Sequence, residues 1–180
     1  GEFVMDAEAT AAYEARVADA ENKITFKLST DPATQCDAVK FVSTTETEVP
    51  TALKFGTATP VKFAGLWKYS DSKTFDYIAS LEVVEGATMT MTNMITATAT
   101  NPATTAITNN GTVNISGATT LKLNMTNNGV IDIPVGAEFL MNGAELTNNA
   151  TSLEVYGKID NAGSLGVQSN TSGKINNYGY

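Results

Sequence analysis

Few residues in this chain can do chemistry, and they do not converge. The 180 residues hold no histidine, a single cysteine (Cys36) and a single arginine (Arg16). Lack of histidine removes the commonest general base and the commonest metal ligand together. A lone thiol leaves no internal disulfide and no cysteine-cluster zinc site. Acid–base work on a polysaccharide needs paired carboxylates, or a basic residue beside acids. The second half offers only Asp132, Glu138, Glu145, Glu154 and Asp160, with Lys122, Lys158 and Lys174. Asp132 and Glu154 fall on the polar positions of alternating stretches, where solvated face residues belong. We therefore expect no catalytic residues. Calcium would call for an Asp-x-Asp-x-Asp loop or a glycine-rich nonapeptide, and the chain has neither. Asp71 and Asp76 around Ser72-Lys73-Thr74 read as a turn. Neither a metal site nor a cofactor is expected.

The densest aromatic cluster is Trp67, Tyr69, Phe75 and Tyr77. On a surface, Trp67, Tyr69 and Tyr77 would stack on sugar rings, which makes them the candidate carbohydrate-binding residues. In an interior the same rings are ordinary core. The alternations Thr88-Met-Thr-Met-Thr92 and Thr96-Ala-Thr-Ala-Thr100 suggest the threonine arrays of ice-binding solenoids, but Val113-Asn-Ile115 and Ile131-Asp-Ile133 replace them later. The sequons at Asn110, Asn114, Asn124, Asn149 and Asn170 are what an Asn- and Thr-rich chain produces by chance. Asn110-Gly111, Asn128-Gly129 and Asn142-Gly143 are sites for deamidation on ageing.

The charge balance, 19 acids against 11 bases, argues against nucleic acid, whose phosphates demand a basic stripe. No run of 18 apolar residues is present, so no membrane-spanning helix is expected. The opening Gly1-Glu-Phe-Val shows no signal peptide; one removed earlier would leave no trace.

Two halves with different apolar vocabularies must position these residues. Residues 1–22 form an arm whose Ala- and Glu-rich stretch from Asp6 to Glu21 predicts a short helix, with Asp6 as N-cap and a thin apolar face of Tyr13 and Val17. Residues 23–85 alternate as strands: Ile24, Phe26 and Leu28; Val39 and Phe41; Leu53 and Phe55; Val61 and Phe63; then Tyr77 to Val84. Six of the seven Phe and the only Trp lie at or before Phe75. A small β domain, sandwich or partial barrel, is expected there, or else the irregular first coils of a longer stack. Beyond Glu85-Gly86 the core turns to Ile, Val, Leu, Met and Ala.

Residues 86–180 repeat. An apolar residue followed two positions later by Asn occurs at Met91, Ile107, Met125, Leu146, Ile159 and Ile175, and Gly111, Gly129, Gly163 and Gly179 complete four copies. The average spacing is about 17 residues, near the lower end of solenoid periods. Gly86-Ala87, Gly117-Ala118, Gly136-Ala137 and Gly143-Ala144 supply a second corner element, Gly providing the unusual backbone angles. Asn suits a corner because it tolerates left-handed geometry and bonds neighbouring amides. Coils stacked in register would join Asn109, Asn127 and Asn148 into an amide ladder. An antiparallel meander satisfies the same parity, folding about Asn127–Gly129 to pair Met125 with Ile131. The chain stops in mid-repeat at Tyr180, which predicts either that it is a fragment or that an open C-terminal coil self-associates.

Strings such as Ile107-Thr-Asn-Asn-Gly-Thr-Val-Asn-Ile-Ser-Gly-Ala118 and Met125-Thr-Asn-Asn-Gly-Val-Ile-Asp-Ile133 resemble repeats of bacterial cell-surface, adhesin-like parallel β-helix proteins. The resemblance covers residues 81–180 and carries no functional residues with it. It implies an exposed, extracellular or cell-surface protein. The expectation is therefore an all-β chain with a C-terminal parallel β-solenoid preceded by a small β-rich domain, the alternative being an antiparallel meander or sandwich. Its role is non-enzymatic, structural or adhesive, toward a glycan or another protein. The alternative is a carbohydrate-binding module or a polysaccharide-active β-helix.

Overall fold

The computed structural model of the protein describes residues 1–19, 28–29, 31, 35–100, 106–150, 152–167 and 174–177. The strand expected over Ile24 to Leu28 lies almost wholly outside these residues, as do Gly179 and Tyr180. Strand β1 (Glu2–Met5) leads into α1 (Ala7–Ala18). Asp6 caps the helix as expected, its carboxylate accepting the Ala9 amide at 2.9 Å and satisfying a donor that the first turn leaves open. Tyr13 is buried and Val17 packs against the core. The Tyr13 ring stacks on Phe55 at 5.8 Å and meets Phe41 edge-on at 5.9 Å. The helix thus covers the interior of the first coil.

Eleven strands follow: β2 (Ala38–Glu48), β3 (Ala52–Val83), β4 (Thr88–Thr100), β5 (Ala106–Asn109), β6 (Thr112–Leu121), β7 (Asn124–Asn127), β8 (Val130–Ile133), β9 (Glu138–Asn148), β10 (Ser152–Val155), β11 (Lys158–Val167) and β12 (Lys174–Asn177). Every pairing among them is parallel. Parallel neighbours require the chain to complete a circuit before returning beside itself. The result is a β-solenoid of about five turns. In a meander Met125 would pair with Ile131; here it lies between Ile107 and Leu146, with β5 and β9 flanking β7.

Each circuit has three sides, and alternation along each strand sends every second residue inward. On the first side, Leu81, Ile107, Met125 and Leu146 stack in one inward column. On the second, Trp67, Met89, Val113 and Ile131 stack beside Tyr69, Met91 and Ile115. On the third, Thr119, Phe139 and Ile159 form one column, and Ile95, Leu121 and Met141 another. A single apolar cluster runs from Met5 to Val155. The aromatic-rich N-terminal strands belong to it, because β2 pairs with β3, and β3 with β4 and β5, in the same parallel sense. Of the two arrangements open to that half, the pairing is that of irregular first coils.

The corners divide as the composition suggests, with one correction. Gly86, Gly117, Gly136 and Gly143 all take positive φ (61 to 86°), which costs a residue with a Cβ about 1–2 kcal/mol. The asparagines of the repeat do not share this geometry; only Asn93 (φ 60°) is left-handed, alongside Asp71 and Tyr77. Gly129 is required for another reason. A Cβ there would lie inside van der Waals contact of the Gly111 carbonyl oxygen. The six apolar-x-Asn copies are likewise not one unit. Those at Ile107, Met125 and Leu146 stack on the first side, Met91 and Ile175 belong to the second, and Ile159 to the third.

Candidate functional site

The rings proposed to hold a sugar do not form a surface. Trp67 and Tyr69 are each 1% exposed and Phe75 is fully buried. Trp67 Nε1 donates to the Ala64 carbonyl at 2.8 Å, and the Tyr69 hydroxyl donates to that of Thr96 at 2.7 Å. Both polar tips are therefore satisfied inside the coil, as buried Trp and Tyr require. Tyr77 is half-buried against the same core. A ligand outside the molecule cannot stack on Trp67 or Tyr69, so the interior alternative describes them.

The carboxylates of the second half are distributed over all three sides. Asp132 and Glu154 are register partners on the second side, Glu138 pairs with Lys158 at 2.7 Å on the third, and Glu145 lies on the first. Asp160 is in register with Leu140. Among the described residues no three His, Cys, Asp or Glu come together.

The tightest knot of chemical groups lies elsewhere, at the end of β2. Glu48 accepts Lys73 Nζ at 2.6 Å, the Ser70 amide at 2.8 Å and the Ser70 hydroxyl at 2.8 Å. Lys73 is the one buried charged side chain among the described residues, and its ammonium also sits 5.4 Å from the centre of the Tyr69 ring. Pairing and the ring together offset the cost of removing that charge from water. Burial raises the Tyr69 hydroxyl pKa well above its ordinary value. The knot secures the corner at Asp71.

The amide system of the first side is more extensive. Asn109, Asn127 and Asn148 are fully buried and form the predicted ladder: Asn109 Nδ2 donates to Asn127 Oδ1 at 2.7 Å, and Asn127 Nδ2 to Asn148 Oδ1 at 2.8 Å. Their spare bonds go to the corner backbone, with the Gly111 amide donating to Asn109 Oδ1 and the Gly129 carbonyl accepting from Asn127 Nδ2. In the same slot earlier coils place Phe41, Phe63 and Val83, the Val84 amide bonding the Phe63 carbonyl at 3.1 Å. A second ladder, not foreseen, runs outside the first with the opposite polarity. Asn149 Nδ2 donates to Asn128 Oδ1 at 3.0 Å, Asn128 Nδ2 to Asn110 Oδ1 at 2.8 Å, and Asn110 Nδ2 to Glu82 Oε1 at 2.7 Å. Glu82 lies 3.8 Å from Lys62 Nζ, and Lys62 and Lys40 both bond Glu2, at 2.8 and 3.0 Å. These bonds hold the Glu2 carboxyl below its usual pKa and the Lys62 ammonium above its own. The doubled Asn-Asn at Asn109-Asn110, Asn127-Asn128 and Asn148-Asn149 was the sequence signal for two ladders.

Thr108, Thr126 and Thr147 stand in one outward column beside this outer ladder. Glu82 is the register partner of Thr108 in this column, and Thr147 Oγ1 donates to Glu145 Oε1 at 3.0 Å, so the threonine face carries a carboxylate at each end. A shallow depression of about 320 Å³ lies at the corner of Val135, Glu138, Tyr156 and Lys158, with Val135 and Tyr156 exposed. Among the described residues no helix is long and apolar enough to cross a membrane. No protein-family model, no curated protein and no solved structure matches the chain.

Proposed function

We propose that the protein is a non-enzymatic structural or adhesive element of an extracellular, bacterial cell-surface molecule, in which the solenoid holds a face at fixed spacing. The observation that carries this reading is the pair of opposed amide ladders on the first side. The inner ladder's buried hydrogen bonds between identical side chains of successive coils stabilise one register, since any slip leaves a buried amide unsatisfied. They leave the outward column of Thr108, Thr126 and Thr147 equally spaced, at roughly 4.8 Å per coil. A repetitive face held in one register suits presentation to a partner better than turnover, for which the carboxylates are too dispersed. The repeat chemistry of residues 81–180 supports a cell-surface location. Surface labelling of intact source cells with an antibody against this chain tests the reading. Labelling before lysis supports it; signal only after lysis would refute it. Hydrolysis or elimination of any polysaccharide by the purified chain would refute the non-enzymatic part.

A further inference from the structure

We infer that Asn142 is a site of spontaneous backbone rearrangement in the folded protein, while Asn110 and Asn128, which also precede glycine, are protected by the ladders. All three pairs carry the same local sequence, and glycine leaves its nitrogen unshielded in each. The reaction proceeds by attack of the glycine backbone nitrogen on the asparagine side-chain carbonyl carbon. A new C–N bond closes a five-membered imide; the bond to the side-chain nitrogen breaks, and that nitrogen leaves as ammonia with the glycine amide proton. Water then adds to the imide and opens it to aspartate or isoaspartate.

Both reacting groups are engaged at the two ladder positions. The Gly111 amide donates to Asn109 Oδ1 at 3.1 Å, in a buried bond, and the Gly129 amide donates to the Asn109 carbonyl at 3.0 Å. The side chains are engaged as well: Asn110 bonds Glu82 and Asn128, and Asn128 bonds Asn110 and Asn149. Carbonyl oxygens crowd Gly111 and Gly129 from the neighbouring coils. Reaction there requires several bonds to open together, which a stacked coil permits only through local unfolding. Asn142-Gly143 differs in exposure and in crowding. Both residues are exposed, Gly143 takes φ 75°, and nothing stands within 4 Å of the position a Cβ would occupy on it. The strand register shifts just beyond Asn142, so Gly143 has no partner in β11. Rearrangement to isoaspartate would lengthen the backbone at this corner and place a carboxylate where the chain now has a neutral amide.

The test is incubation of the full chain at mildly alkaline pH, folded and in denaturant, followed by peptide mapping by mass spectrometry. In denaturant the three sites should convert at comparable rates. In the folded chain Asn142 should convert first, with Asn110 and Asn128 slower by more than about tenfold because the bonds holding them must open before reaction. The Asn142→Gln variant, whose longer side chain disfavours the imide, should lose the early acidic species. Comparable native rates at Asn110 or Asn128 would overturn the inference. So would an Asn142 that stays amidated in the folded chain while the denatured chain converts.

Discussion

Removing one rung of the inner ladder should cost more than its share of removing all three. Asn127 is fully buried; it donates to Asn148 Oδ1 and the Gly129 carbonyl and accepts from Asn109 Nδ2. In Asn127→Val the Asn109 amide keeps its bond to the Val130 carbonyl at 2.8 Å, but Asn148 Oδ1 loses its donor from Asn127 inside the coil. A stranded buried acceptor costs about 1–3 kcal/mol, and the other lost bonds about 1 kcal/mol each, so the single change should cost about 3–5 kcal/mol. Valine itself fits the slot, because the buried Val83 precedes Asn109 in the column. Converting Asn109, Asn127 and Asn148 together to Val strands no side-chain amide. The triple variant should therefore be less destabilised than the sum of the three single changes by about 2 kcal/mol or more. Urea unfolding followed by far-ultraviolet circular dichroism and by Trp67 fluorescence measures this, provided the two probes coincide. Agreement of the sum with the triple within about 0.5 kcal/mol would show that the three asparagines act independently and would refute the ladder as a unit.

Burial pushes the Tyr13 hydroxyl from 10 up to about 12. The fold holds it neutral, so stability should be complete below pH 10 and fall as pH rises from 10 toward 12, where the unfolded chain loses its proton first. Tyr13→Phe should reduce that alkaline slope in unfolding curves, at the expense of the bond its oxygen accepts from the Lys54 amide. Asp71, exposed at φ 64°, should tolerate Gly with a gain of up to about 1 kcal/mol, whereas Gly136→Ala at φ 86° should lose about 1–2 kcal/mol in the same urea assay. Trp67→Ala should destabilise by about 3–5 kcal/mol as a core truncation. On a glycan array it should bind no differently from the parent chain; a selective loss of sugar binding by a folded variant would contradict the burial of that ring.

Legibility followed recurrence. Ile107, Met125 and Leu146 repeat the same residue types at the same place in the circuit, 18 and 21 residues apart, so the inner ladder and its register could be read directly. The outer ladder was equally present in the doubled asparagines, but one outward amide resembles any solvated one until coils are aligned. Met91, Ile159 and Ile175 carry the same apolar-x-Asn string on other sides, because a strand with one inward residue before a polar one can occur at any of three sides. The N-terminal coils hid for the opposite reason. Their slot on the first side holds Phe41, Phe63 and Val83, the two rings stacked at 5.5 Å, so geometry persists while residue type changes and periodicity vanishes. The carbohydrate candidates failed on parity: strand alternation says that Trp67 and Tyr69 share a side but not which side faces inward.

The most direct test of the account is a set of methyl–methyl nuclear Overhauser contacts in a chain labelled at Ile, Leu and Met. In-register parallel coils predict contacts from Ile107 to Met125 and from Met125 to Leu146, since these residues are neighbours one strand apart. Absence of both, with backbone contacts joining Met125 to Ile131 across the Asn127 to Gly129 turn, would show an antiparallel meander and remove the ladders on which the proposed display surface rests.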